Sequence, residues 1–394
     1  MGLDLISGCW IAIQLLVGYN LVLPLVIYFI SLFKKKELVK HQALSNPDYA
    51  IIVTAYEQTH TLGPVVASIL QLNYKKFLVY IVADKCDISQ LHFEDERVVI
   101  LRPEETLSSN TRSHFYAIHR FKRSHDRLTI IDSDNLVEPD YLDQLNPYFD
   151  AGFKAVQGVR NAKNMDTMYA CLDAARDIYY HFYDGKILFQ AGSSATLAGS
   201  GMAFTTELYR NCLEHQDITG AGFDKILQKE IVNMGERIAF SELAIVYDEK
   251  TSKSDQLVKQ RARWINTWFK YFSFGFGMIG NGLLHLDWNR LLFGLVLLRP
   301  PLFIFLILSL LFAFIDLLID PIQTLFWLLG FSLFVAGFLF ALLMSKTDKR
   351  IYKSLWGIPK FVFYQVLSLM KVRKANELSV ATQHYHDKDI NEIK

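Results

Sequence analysis

From Leu5 to Phe33 the chain carries no charged residue, and two later stretches, Leu291 to Phe314 and Ile322 to Met344, are nearly as apolar. A helix needs roughly 20 apolar residues to cross a hydrocarbon layer, and all three stretches reach that length. Backbone polar groups inside a bilayer must be satisfied internally, so the three stretches are expected to be helices. A cleaved leader is the competing reading of the first stretch. It lacks a basic start, its apolar run is too long, and no small-residue cleavage site precedes the lysines that follow. The reading is therefore a retained anchor, residues 5–33. Arg299-Pro300-Pro301 interrupts the second stretch. One continuous span, or an interfacial piece followed by a shorter span, both fit that break.

Basic residues set the expected orientation. Lys34, Lys35 and Lys36 follow the first stretch, and Lys346, Lys349 and Arg350 follow the last, while the loop Asp316 to Asp320 has none. The positive-inside rule then puts residues from about 34 to 290 in the cytoplasm and the acidic loop outside. The expected location is the inner or plasma membrane, with several passes. A formal net charge of +1 over 394 residues leaves no electrostatic footprint for nucleic acid. Cys9, Cys86, Cys171 and Cys212 are scattered without metal-site spacing, which suits a reducing face.

Between the anchors the pattern alternates strand and helix, as in one α/β domain. Tyr49 to Thr54, Phe77 to Ala83, Val98 to Leu101 and Arg127 to Ile131 read as strands, and Thr61 to Leu72 and Ser113 to Phe121 as helices. Three of the strands run into polar residues: Tyr56-Glu57, Asp84, and Asp132-Ser133-Asp134. In open parallel sheets, ligands bind beyond the carboxyl ends of strands, so these residues are expected to share a crevice. The stretch Ser354 to Val372 reads as an amphipathic helix on the membrane surface, before a polar tail from Ala375. The expected division is an anchor at 5–33, a cytoplasmic domain at 34–264, an interfacial helical region at 265–290, two spans within 291–345, and an amphipathic helix with tail at 346–394.

Each motif has an ordinary reading beside a chemical one. Asp132 and Asp134 suit a hard divalent cation that shares a diphosphate, or simply a turn. A calcium loop is excluded, since Leu136 and Val137 stand where a ligand and a glycine are required. Gly199 and Gly201 let backbone approach a ligand, or pack tightly; Phe204 rules out a dinucleotide fingerprint. Asp224, after Gly220-Ala-Gly222, is a helix cap or a general base. Gln260, Arg263 and Trp264 fall on one helix face and suit a phosphate and a sugar ring; with Lys259, Arg261 and Lys270 that helix also suits lipid headgroups. His384 and His386, in the polar tail, are read as solvated.

In order, these motifs resemble those of the membrane-bound family 2 glycosyltransferases, the group of cellulose, hyaluronan and poly-N-acetylglucosamine synthases. The resemblance runs from Tyr49 to about His386. Ile51 to Tyr56 looks like the family's first strand and nucleotide turn, and Val82 to Asp87 like its uracil-contacting segment. Asp132 and Asp134 match the paired aspartates for diphosphate and metal, and Asp224 matches the catalytic base. The stretch Ala198 to Phe204, with Gly199 and Gly201, and Asp248-Glu249 match the acceptor region, while Gln260, Arg263 and Trp264 match the Gln-x-x-Arg-Trp motif. Three departures bear on substrate choice: Glu57-Gln58 replaces Asn-Glu, Thr111-Arg112 replaces Gly-Lys, and Phe223-Asp224 keeps one acidic residue of a pair.

The resemblance implies a GT-A-like α/β domain with a mixed, mostly parallel sheet, flanked by N- and C-terminal membrane helices. It implies inverting transfer from a UDP-sugar to a glycan or lipid-linked acceptor, giving a β linkage. In that scheme Tyr56, Glu57 and Asp84 contact the nucleoside, Asp134 and Asp132 hold Mg2+ or Mn2+, and Arg112 and Arg263 face the diphosphate. Asp224 takes the acceptor's proton, Trp264 stacks on the acceptor sugar, and Gln260 orients that sugar or the diphosphate. A processive synthase that secretes its product, with other export subunits as partners, and a non-catalytic nucleotide-sugar-binding regulator are the alternatives.

Overall fold

Unbroken apolar runs become strands covered on both faces. The computed structural model describes residues 2–35, 45–372, 375 and 388–393, so Lys36, His384 and His386 lie outside the described residues. The strands are β1 (Tyr49–Tyr56), β2 (Phe77–Asp84), β3 (Val98–Leu101), β4 (Arg127–Asp132), β5 (Leu136–Val137), β6 (Ala155–Ala162), β7 (Met202–Thr205) and β8 (Ile238–Asp248). They form one sheet in the order β3-β2-β1-β4-β7-β6-β8-β5. The pairs β3–β2, β2–β1, β1–β4 and β6–β8 are parallel, and β4–β7, β7–β6 and β8–β5 antiparallel. Register sets the crevice: Tyr56 lies level with Asp84, and Thr54 with Asp132. All of β2 and most of β1 are buried, which is why they read as continuous apolar runs.

Helices α1 (Gly2–Phe33), α2 (Leu62–Leu70), α3 (Asn110–Ile118), α4 (Tyr141–Asp150), α5 (Met168–Tyr180), α6 (Leu188–Gln190), α7 (Thr206–Leu213) and α8 (Phe223–Asn233) run up to β8. After it come α9 (Ser254–Tyr271), α10 (Phe274–Leu284), α11 (Trp288–Leu298), α12 (Leu302–Ile319), α13 (Pro321–Met344), α14 (Lys349–Ser354) and α15 (Ile358–Leu369). One π-helical turn, His181–Ile187, joins α5 to α6. The stretch 291–314 is two helices, α11 and α12, broken at Arg299-Pro300-Pro301, because the prolines supply no amide to carry the helix across.

Among the described residues three helices are long and apolar enough to cross a membrane: Ser7–Phe33, Leu302–Ile319 and Pro321–Met344. They pack around Leu21, Ile27, Phe305, Trp327 and Phe334. At one end the Asp316 carboxylate accepts N–H bonds from Trp10 (3.2 Å), Gln14 (2.8 Å) and Trp327 (2.9 Å), so one buried acid clasps α1, α12 and α13. At the other end the Tyr183 hydroxyl, in the π-helical turn, donates to the Gly337 carbonyl at 2.8 Å. The Trp288 indole donates to the Ala191 carbonyl (2.9 Å), and Ser194 Oγ donates to Asn289 Oδ1 (2.9 Å), which bolts the start of α11 to the sheet domain. Helix α15 lies against α9 and α5, with Phe361 packed on Leu257 and Leu172, while Trp356, Phe363 and Met370 stay exposed.

Candidate active site

A cleft of about 660 Å³ opens beyond the carboxyl ends of β1 and β4. Its walls carry Tyr56, Asp132, Asp134, Gly199, Asp224, Gln260, Arg263 and Trp264. Residues far apart in sequence are thus gathered by the sheet register and by α9 crossing its mouth.

The acidic turn is held by its neighbours. The Ser200 hydroxyl accepts the Asp132 backbone N–H at 3.1 Å and the Asn135 side-chain N–H at 2.7 Å. Lys163 Nζ donates to the Asp134 carbonyl at 3.2 Å. The turn bearing Ser200 needs glycine on both sides: Gly199 and Gly201 have φ of +88° and +64°. Gln157, fully buried, fastens the same turn, donating to the Ser200 carbonyl (3.1 Å) and accepting the Ala198 N–H (2.9 Å). Gly201 therefore shapes the turn from behind, and Gly199 reaches the cleft.

Asp224 is not a cap. Gly222 occupies the N-cap position of α8 with φ +101°, and Asp224 stands in the first turn with Lys225 Nζ 2.9 Å from its carboxylate. A Cβ at Gly222 would lie 2.6 Å from the Tyr271 ring and 2.7 Å from Thr267 Cγ2. The last turn of α9 thus bears directly on the start of the helix that carries Asp224.

Helix α9 turns two faces inward. Toward the cleft, Gln260 accepts from Thr251 Oγ1 at 2.8 Å, and burial lowers the pKa of Arg263. Toward α5, Arg261 is buried against Asp173. Burial, with Arg176 alongside, brings the Arg261 pKa down to about 10 despite Asp173. The Arg176 and Arg261 guanidiniums each lie 4.1 Å from the centre of the Trp264 ring. Part of that indole surface is therefore already covered.

Asp173, Arg176, Asp177 and Tyr180 fall at helical spacing on α5 and form the cleft's inner wall. Lys250 Nζ lies 2.5 Å from both Asp177 and Asp248, and Arg160 lies 3.6 Å and 3.7 Å from the same two acids. Burial would raise the Asp177 pKa, but Arg176, Lys250 and Arg160 together hold it well below the usual carboxylate range. At Asp248 burial outweighs Lys250 and Arg160 and raises the pKa. Arg160, Arg176, Asp177 and Lys250 are functional-site residues that no sequence motif marks, because distant elements bring them together.

Four expected site residues stand away from the cleft wall. Both Asp84 carboxylate oxygens accept backbone N–H groups, from Leu107 (2.9 Å) and Ser108 (2.8 Å), so Asp84 acts on the loop before α3. Glu57 is paired with Lys85 at 2.7 Å, and Arg112 makes a two-point contact with Asp217 at 2.8 and 2.7 Å. Gly201 is buried behind its turn. Tyr56 does reach the cleft, its hydroxyl 3.4 Å from Ser108 Oγ. Among the described residues no group of three or more His, Cys, Asp or Glu is arranged to hold a metal. Asp132 and Asp134 fit a hard cation that takes its remaining ligands from a diphosphate and water.

Residues 47–267 match the model of the family described as Glycosyltransferase like family 2. No curated protein matches the chain. Among solved structures the chain is similar to the mannosyltransferase PcManGT from Pyrobaculum calidifontis in complex with GDP-Man and Mn2+, at 16% identity and TM-score 0.60, over 92% of this chain and 98% of that one. It is also similar to TarS 1-349 of S. aureus, at 13% identity and TM-score 0.41, over 84% and 90% of the two chains. At such identities the first likeness is one of fold.

Proposed function

The chain belongs to the Glycosyltransferase like family 2, and from that membership we propose that it moves a hexosyl or N-acetylhexosaminyl group from a nucleoside diphosphate sugar, UDP-linked in our reading, to a glycan or lipid-linked acceptor with inversion. The observation that carries this reading is that Asp132, Asp134 and Asp224 line one cleft closed by α9. The acceptor oxygen bonds to the anomeric carbon, and the bond from that carbon to the diphosphate breaks with its electron pair on the leaving group. Asp224 receives the acceptor's proton, and Lys225 holds the carboxylate in place. Arg263, partly desolvated, faces the leaving diphosphate, where a fixed charge acts more strongly than in water. Mg2+ or Mn2+ bound through Asp134 and Asp132 would supply further charge neutralisation there. Gln260 and the uncovered surface of Trp264 orient the acceptor.

We further propose that the three apolar helices cross the plasma membrane with the sheet domain in the cytoplasm. The basic residues Lys34, Lys35, Lys346, Lys349 and Arg350 at one end, and Asp316 and Asp320 at the other, support that orientation. The division into an anchor (5–33), a transferase domain (34–264), an interfacial helical region (265–290), two spans (291–345) and a surface helix with tail (346–394) is part of the same proposal, with α9 (Ser254–Tyr271) running across the 264/265 boundary.

The test is release of nucleoside diphosphate by purified protein with Mn2+ across UDP-glucose, UDP-N-acetylglucosamine, UDP-galactose, UDP-glucuronate and GDP-mannose. One donor is expected to turn over, and Asp134→Ala to lower that rate at least about 100-fold. An Asp134→Ala rate equal to wild type removes the metal role.

A further inference from the structure

The cleft face of α9 continues past Trp264. Trp268 and Tyr271 follow one and two turns on, and both line the cleft. The Trp268 indole N–H and the Tyr271 hydroxyl are buried with no hydrogen-bond partner among the described residues, and Tyr271 is only 7% exposed. Nε and Nη1 of Arg261, on the same helix and in the same cleft, also have no hydrogen-bond partner among the described residues. A buried donor left unmatched costs about 1–3 kcal/mol, so several on one helix mark a place where a ligand supplies the acceptors. The Tyr271 ring also packs on Gly222, two residues before Asp224, at the start of the helix that carries the proposed base.

Where the cleft meets the break between α11 and α12, its lining includes Val296, Leu297, Leu302 and Phe303 beside the paired Arg299 and Asp184, and Phe272 and Phe274 also line it. Leu302 begins α12, one of the helices apolar enough to cross a bilayer. The cleft thus combines carboxylates, unmatched donors and apolar residues that include the first residue of a membrane-length helix.

We propose that this end of the cleft binds an acceptor sugar tethered to a membrane lipid. The Trp268 N–H and the Tyr271 hydroxyl bond the sugar's oxygens, and the apolar wall receives the first part of the lipid chain. The proposal rests on the transferase reading and narrows its acceptor to a glycolipid rather than a water-soluble glycan.

The test places full-length protein in nanodiscs made with total lipid from its own source cells and supplies radiolabelled nucleotide-sugars with Mn2+. Label is expected in the chloroform–methanol phase. Tyr271→Phe and Trp268→Phe are each expected to raise the KM for that lipid about 2- to 10-fold with a smaller effect on kcat, as loss of one hydrogen bond predicts. A purely structural role would lower yield and kcat without moving KM. Turnover with label confined to water-soluble or insoluble material overturns the lipid acceptor and leaves the transferase reading standing. No nucleotide release with any donor overturns both.

Discussion

Asp173 is the buried acid on which two guanidiniums converge, and its removal has a calculable effect. Its side chain is 3% exposed, ion-paired with Arg261 and 3.1 Å from Arg176. Arg176 has a second carboxylate in Asp177, whereas Asp173 is the acid against Arg261. Asp173→Asn would leave Arg261 charged in a site from which water is excluded. Breaking a buried pair in this way costs about 3–5 kcal/mol. On a domain of this size that is a fall of roughly 6–20 °C in Tm. Arg261→Met alone leaves Asp173 with Arg176 and is expected to cost less. The double variant removes both charges and fills the space with an apolar chain, so it is expected to recover at least about 2 kcal/mol relative to the sum. Thermal unfolding of the four proteins in one detergent completes the cycle. If the double variant equals the sum of the singles within about 0.5 kcal/mol, the pair is not coupled and this account of the inner wall is wrong.

Two further outcomes follow from single residues. Gly222→Ala puts a side chain at φ +101° and 2.6 Å from the Tyr271 ring, so backbone strain and overpacking together are expected to cost about 2–5 kcal/mol. Because α8 carries Asp224, kcat should fall roughly 10- to 100-fold; a wild-type kcat would show that α9 does not position the base. His114, wholly buried with Nδ1 2.7 Å from the Tyr209 hydroxyl, has its pKa pushed down to about 3 by burial. Its folded pKa lies below its unfolded value of about 6.5, so the unfolded chain takes the proton first and stability falls as pH drops below about 6.5. Between pH 7 and 5 His114 accounts for about 2 kcal/mol of loss, visible as a lower Tm; His114→Gln should remove that share and leave the share of His181, whose pKa burial also pushes down to about 3, and an unchanged slope would assign the acid loss elsewhere.

The parallel half of the sheet was legible because strands covered on both faces must be apolar throughout. β1, β2, β3 and β4 were therefore visible, with their polar ends pointing to the crevice. β6 and β8 were not, since Arg160 and Asp248 at their ends line the cleft and, with Asn161, break the apolar pattern. The inner wall stayed hidden for a different reason. Nothing local distinguishes Asp173 and Asp177 from solvated acids on a surface helix; only β6, the β8 end and α9, brought together by the fold, bury them. Arg261 illustrates this: read as a lipid-facing charge, it turns inward because its partner lies on α5. Asp84, Glu57 and Arg112 stand where motif order puts them, yet nearby backbone and side-chain groups claim their charges.

The most direct test of the central claim is Asp224→Asn, measured for donor binding and for turnover in the same preparation. The account predicts that the nucleotide-sugar still binds within about twofold of wild type, while nucleotide release in nanodiscs of source-cell lipid falls by about 100- to 10,000-fold, the range a general base contributes. Turnover within tenfold of wild type would contradict the assignment of Asp224 as the group that accepts the proton.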